Sequence, residues 1–139
     1  IDTDLFFFIF LDGLSDINMQ QLLDFHRTHG KTATLTGVHL PTTFGIVEAG
    51  EDDMVRSFRE KPVLGGVING GFFVFNRDIF DYIDNDATVL EDMPFKRLVR
   101  KKQLSMMRHE GFWHCMDTMK DYMSLNKMWD ENSASWKIW

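Results

Sequence analysis

From Leu5 to Leu11 every residue is apolar (Leu-Phe-Phe-Phe-Ile-Phe-Leu), and the run then turns at once into Asp12-Gly13. An unbroken apolar run predicts a central strand buried on both faces. In open α/β sheets ligands bind just beyond the carboxyl ends of such strands, which puts Asp12 where a metal or phosphate would sit. A helix is predicted from about Ile17 to His29, with Leu22, Leu23 and Phe25 on its apolar side. Ser15 or Asp16 is its expected cap, and Gly30 stops it in a left-handed conformation. Ala33–Val38 follows as a strand, so strand, helix and strand make a βαβ unit. Pro41–Gly45 reads as a loop. Gly45–Ala49 and Met54–Phe58 form a hairpin across Gly50-Glu51-Asp52-Asp53. Gly71–Asn76 is a second apolar strand, and Arg77–Ile83 a short helix. Glu91 or Asp92 opens a helix with Pro94 in its first turn, ending near Lys102. Leu104–His109 is a strand, Phe112–Asp117 a loop, and Thr118 to about Asn132 the last helix.

Composition narrows the class. The chain has 139 residues, 44% hydrophobic and 26% charged, which reads as one globular α/β domain spanning 1–139. A net charge of -6 argues against nucleic acid as a partner but leaves room for a nucleotide or sugar phosphate held by one local lysine. Cys115 is the single cysteine, which excludes an intrachain disulfide and fits a reducing, cytoplasmic setting. No apolar stretch approaches membrane-spanning length, so no membrane partner is expected. Residue 1 is Ile, and a buried-type strand comes at once, so a fragment of a longer protein is expected.

Four places carry candidate chemistry: Asp12-Gly13, Glu60-Lys61-Pro62, Asn69-Gly70 and Trp113-His114-Cys115-Met116-Asp117. Each has a plain structural reading. Asp before Gly commonly turns a chain. Lys61 is a solvated lysine. Asn-Gly is a hairpin dipeptide, and Asp117 caps a helix. His26 and His29 share a helix face but lack an obvious third metal ligand, so they read as surface histidines. His114 and Cys115 are adjacent, which seldom converges on one ion, and read as loop packing. Phe72, Phe73 and Phe75, with Trp113, Trp129, Trp136 and Trp139, read as core and carboxyl-terminal docking. Met106, Met107, Met116, Met119, Met123 and Met128 read as core filler.

Taken together and in order, the motifs say more. Asp12-Gly13-Leu14-Ser15-Asp16-Ile17, Asp24-Phe25-His26, His29-Gly30-Lys31 and Phe44-Gly45 lead into Phe58-Arg59-Glu60-Lys61-Pro62. Ile68-Asn69-Gly70-Gly71-Phe72-Phe73-Val74, Tyr82-Ile83-Asp84, Gly111-Phe112-Trp113, Met116-Asp117-Thr118 and Trp136-Lys137 complete the series. The series resembles the sugar-1-phosphate nucleotidyltransferase family, and within it the carboxyl-terminal part of the glucose-1-phosphate cytidylyltransferases. The resemblance implies a partial Rossmann-like nucleotidyltransferase fold, α/β, with a mixed sheet flanked by helices. It implies in-line attack by a sugar 1-phosphate on the α-phosphorus of a nucleoside triphosphate, giving a nucleotide sugar such as CDP-glucose and pyrophosphate. It makes Asp12 and Asp117 the ligands of Mg²⁺ and Lys61 the lysine on the sugar phosphate, these three forming the catalytic set. Glu60, Lys61, Asn69 and Gly70 become the substrate-binding set.

The sequence also departs from the family. No Gly-Gly-x-Gly-Thr-Arg loop is found in it, which predicts a truncated protein lacking the nucleotide-binding front half and inactive alone. Leu11 stands where the family has the first glycine of Gly-Asp-Gly, and Thr43 where an arginine is usual. His114-Cys115 replaces Gln-Pro, and Met93 replaces a glutamate. A homo-oligomer is expected through the surface that a missing half would cover. Two alternatives stand beside the enzyme reading: a sugar-phosphate-binding module, and a structural or oligomerising protein that keeps the fold without the site.

Overall fold

A computed structural model describes residues 2–39, 44–61 and 65–138. The readings that involve Thr43, Pro62 and Trp139 lie outside the described residues. In chain order the elements are β1 (Leu5–Ile9), β2 (Gly13–Ser15), α1 (Met19–His29), β3 (Ala33–Val38), β4 (Ile46–Ala49), β5 (Val55–Arg59) and β6 (Ile68–Asn76). A 3-10 turn (Arg77–Tyr82), α2 (Met93–Arg100), β7 (Leu104–His109), β8 (Trp113–Cys115) and α3 (Met119–Asp130) complete the series.

Four strands form a mixed sheet in the order β1-β6-β3-β7, antiparallel except for the β3–β7 pair. Strands β6 and β3 are its inner members, and the side chains of β6 alternate across the sheet. Phe73 and Phe75 face one way, into a cluster with Ala33, Ile79, Tyr82 and Leu98 of α2. Phe72 and Val74 face the other way, onto Ile17 and Leu22 of α1. Helices therefore cover both faces, the α/β arrangement expected from the sequence. β1 and β3 run parallel with α1 between them in sequence, and β6 is inserted between them in the sheet.

The first strand corrects the reading of its apolar run. β1 lies at the sheet edge, and Phe7, Phe8 and Ile9 are 39%, 40% and 37% exposed. The run is as apolar as a central strand, but its second neighbour is absent among the described residues. Leu11, at 99% exposure, lies beyond the strand. Helix α1 is capped by Asn18, whose side chain accepts the Gln21 N–H at 3.0 Å, because Ser15 and Asp16 are drawn into β2 and its continuation. Gly30 ends α1 at φ 59°, as its type requires. The segment read as a loop, Phe112–Asp117, contains β8, whose strand partner is β2. Asn69-Gly70 is not a hairpin turn but the start of β6. Thr118, not Asp117, caps α3, in a reciprocal box with Asp121. Met116, Met119 and Met123 are exposed on the α3 side rather than filling the core.

His26 is also corrected: it is buried, not a surface residue. Its Nδ1 lies 2.8 Å from Thr34 Oγ1, and its Nε2 is 3.1 Å from Asn76 Oδ1. His29 Nε2 meets the same Thr34 oxygen at 2.8 Å, while its Nδ1 accepts the Lys31 N–H at 3.0 Å. Asn76 Nδ2 donates to the Lys31 carbonyl at 2.9 Å. The accepting His29 Nδ1 and the donating Asn76 Nδ2 fix the direction of two bonds in this ring. His29 Nε2–H therefore donates to Thr34 Oγ1, and His26 Nε2–H donates to Asn76 Oδ1. Burial, followed by His26 and Lys31, lowers the His29 pKa from its ordinary value.

Candidate functional site

The short β2–β8 ladder pairs Gly13 with Cys115, Leu14 with His114 and Ser15 with Trp113. Just beyond it, the Met116 N–H donates to the Asp12 carbonyl at 2.8 Å. This pairing brings the two ends of the sequence motif series together. Asp12, Cys115 and Asp117 each offer a ligand atom, all within 4.8 Å of one another. Both carboxylates are exposed and Cys115 is half-buried between them.

Cys115 is a neutral thiol here. Burial, followed by the neighbouring Asp117 and Asp12 carboxylates, pushes it up to about 12. A thiol so raised is a poor nucleophile, which sets aside covalent catalysis at this residue. The donor set suits a hard cation held by two carboxylate oxygens with the rest of its shell from water and phosphate. The soft thiol adds nothing to such an ion.

A cavity of about 120 Å³ opens beside the carboxylates, lined by Phe10, Asp12, Gly13, Asn69, Gly70, Gly71, Trp113 and Cys115. Asp12 and the Asn69-Gly70 pair thus share one concavity. The backbone there is closely fitted. A Cβ at Gly70 would lie 2.9 Å from Val38 Cγ1 and 3.2 Å from the Thr36 carbonyl. Gly71 has φ +76°, and a Cβ there would meet the Phe10 ring at 3.0 Å. The Phe10 N–H donates to the Gly71 carbonyl at 2.8 Å, the Gly71 N–H to Asn69 Oδ1 at 3.0 Å, and the Trp113 indole to the Gly70 carbonyl at 2.8 Å.

Glu60 and Lys61 are placed differently. They follow β5 at the end of the β4–β5 hairpin, a separate two-stranded sheet, and neither lines the cavity. Their side chains pair with each other at 3.6 Å, at 61% and 64% exposure. Lys61 holds φ 44°, a left-handed conformation uncommon for a side chain of its type.

Sequence reasoning missed the parts played by Trp113 and Cys115. The signal was present: positions 113, 115 and 117 alternate with period two, which places them on one face of an extended segment. Reading 112–117 as a loop hid it. His114, on the other face, reaches Asp121 at 3.2 Å. The Thr118 hydroxyl beside Asp121, with a smaller contribution from His114, lowers that carboxyl below its ordinary range.

A family model described as nucleotidyl transferase matches residues 2–132. Glucose-1-phosphate cytidylyltransferase of Salmonella typhi is 44% identical over 141 residues, covering 99% of this chain and 54% of that protein. A protein of Bacillus subtilis (strain 168) named "Probable glucose-1-phosphate cytidylyltransferase" is 41% identical over 140 residues, covering 100% of this chain and 55% of its own. The chain spans about half the length of these curated relatives. Among solved structures, HddC from Yersinia pseudotuberculosis superposes with a TM-score of 0.64 at 16% identity, over 93% of this chain and 57% of that one. That likeness shows the fold: α/β, Rossmann-like, a mixed sheet flanked by helices. The match across residues 2–132 corrects the expectation of a remnant lacking the family's nucleotide-binding front. The self-association expected through a surface left by that half loses its basis with it. No helix among the described residues is long and apolar enough to cross a membrane.

Proposed function

The chain belongs to the nucleotidyl transferase family, and from that premise we propose that the Asp12–Asp117 cavity binds a divalent cation and a sugar 1-phosphate for nucleotidyl transfer. The observation that carries this reading is the convergence of Asp12 and Asp117, far apart in sequence, within 4.8 Å beside the Asn69-Gly70 cavity. The names of the relatives at 44% and 41% identity support glucose 1-phosphate and CTP as the substrates. The lone thiol, Cys115, supports a reducing, cytoplasmic setting.

In the reaction proposed, a phosphate oxygen of the sugar 1-phosphate forms a bond to the α-phosphorus as the bond to pyrophosphate breaks. No side chain is required as nucleophile, so the protein's work is positioning and charge stabilisation. Asp12 and Asp117 would hold Mg²⁺, which when bound supplies neutralising charge for the phosphates. Asn69 and Gly70 would orient the sugar from the strand end. Lys61 would place a point charge on the sugar phosphate and Glu60 would accept from a hydroxyl. The part given to Glu60 and Lys61 rests on the family resemblance, since the hairpin carries them outside the cavity lining.

Calorimetric titration of the chain with glucose 1-phosphate, with and without Mn²⁺, tests the reading. Mn²⁺ should tighten sugar phosphate binding by about fivefold or more. Binding that is indifferent to Mn²⁺, or absent, would overturn it.

A further inference from the structure

The carboxylates and the strand end stand on different sheets. Asp12, Cys115 and Asp117 belong to the β2–β8 ladder and its extension, whereas Asn69, Gly70 and Gly71 begin β6 of the four-stranded sheet. One side chain of β8 bridges them. The Trp113 ring packs against the Ile17, Leu22, Phe72 and Val74 cluster, and its indole N–H donates to the Gly70 carbonyl at 2.8 Å. The receiving carbonyl is itself held closely, because Gly70 leaves no room for a Cβ between Val38 and the Thr36 carbonyl. An indole N–H is that side chain's single donor, and here it is committed to the protein. Trp113 lines the cavity, then, but gives its polar group to the wall opposite its own strand.

We propose that Trp113 is a positioning residue. Through the Gly70 carbonyl it sets the spacing between the Asp12–Asp117 pair and the Asn69–Gly71 strand end, and so couples cation binding on one side to sugar phosphate binding on the other. The coupling rests on the function proposed above; the structural tie does not. A packed aromatic without this role would stabilise the fold yet leave the two ligands independent.

The test uses the whole chain with Trp113→Phe. A second form carries the benzothiophene analogue of tryptophan at position 113, which keeps the ring shape without the N–H and covers a Phe variant that fails to fold. Two readouts are taken. The first is amide hydrogen exchange without ligands. Exchange should rise roughly tenfold at both Gly71 and Met116, the change expected for loss of a typical hydrogen bond, while Phe73 in the sheet centre stays unchanged. The second is the Mn²⁺ affinity with and without glucose 1-phosphate. The factor of about five or more expected in the parent chain should fall toward one, with Mn²⁺ alone binding within about twofold of the parent. Unchanged exchange at Gly71 and Met116 would overturn the tie. A coupling factor that survives the loss of the N–H would overturn its functional role. If the parent chain binds neither Mn²⁺ nor glucose 1-phosphate, the proposed function fails and the coupling with it, while the exchange data still decide the structural tie.

Discussion

The cavity junction and the β4–β5 hairpin carry the two halves of one expected site, and they are held by different physics. At the junction, hydrogen bonds from Phe10, Trp113 and Met116 cross between segments, and two glycines allow backbones to approach closely. The hairpin has its own ladder and a set of exposed ion pairs: Arg59–Glu48 at 3.0 Å, Arg56–Asp52 at 3.4 Å and Lys61–Glu60 at 3.6 Å. Such pairs contribute about 0–1 kcal/mol each. Packing thus fixes Asp12 relative to Asn69 and Gly70, while Lys61 is positioned by a hairpin whose charges are mostly solvated.

The largest difference should appear in ligand binding. Asp117→Asn should weaken Mn²⁺ binding by about tenfold or more, as loss of a ligand or its support does. Lys61→Ala should leave Mn²⁺ binding unchanged and weaken glucose 1-phosphate binding by about tenfold, roughly the loss of one charge-assisted contact. Equal effects of both substitutions on Mn²⁺, read by calorimetry, would erase the division between the two regions.

Stability should divide the same way. Gly71→Ala forces a side chain into a positive φ and against the Phe10 ring, and should lower unfolding free energy by about 1–3 kcal/mol in urea titration. Arg59→Ala removes an exposed hairpin pair, and a change beyond about 1 kcal/mol would mean that the hairpin is tied to the body more firmly than its contacts indicate.

Acid should act on the sheet body through His29. The folded state holds His29 below its ordinary pKa, so the unfolded chain binds more protons as pH falls through 6.5. Its contribution is fully present above that value and is lost as pH falls toward the lower folded pKa. The melting temperature should therefore drop from pH 7.5 to pH 5.5, and His29→Gln should flatten that slope. An unaltered slope would remove His29 from the account of acid sensitivity.

Much of this was legible in the sequence, and the failures have physical causes. Ala33–Val38 and Leu104–His109 match their expected limits, and in Ala33–Val38 the β-branched residues Thr34, Thr36 and Val38 favour the strand locally. The apolar run at Leu5–Leu11 named a strand correctly but misplaced it in the sheet, since neighbours are set by long-range pairing that no local pattern encodes. The family resemblance paired Asp12 with Asp117, but the β2–β8 ladder that joins them is only three residues on each strand, too short for periodicity to announce. The ring of His26, Thr34, His29 and Asn76 was invisible because the two histidines read as surface residues until Thr34 and Asn76, on separate strands, are known to be their partners.

The most direct measurement of the central claim is anomalous diffraction from crystals of the chain grown with Mn²⁺ and glucose 1-phosphate. The expected result is one Mn²⁺ peak within bonding distance of both Asp12 and Asp117, with the sugar phosphate against Asn69 and Gly70. An ordered site with no peak between the two carboxylates, or a peak held elsewhere, would contradict it.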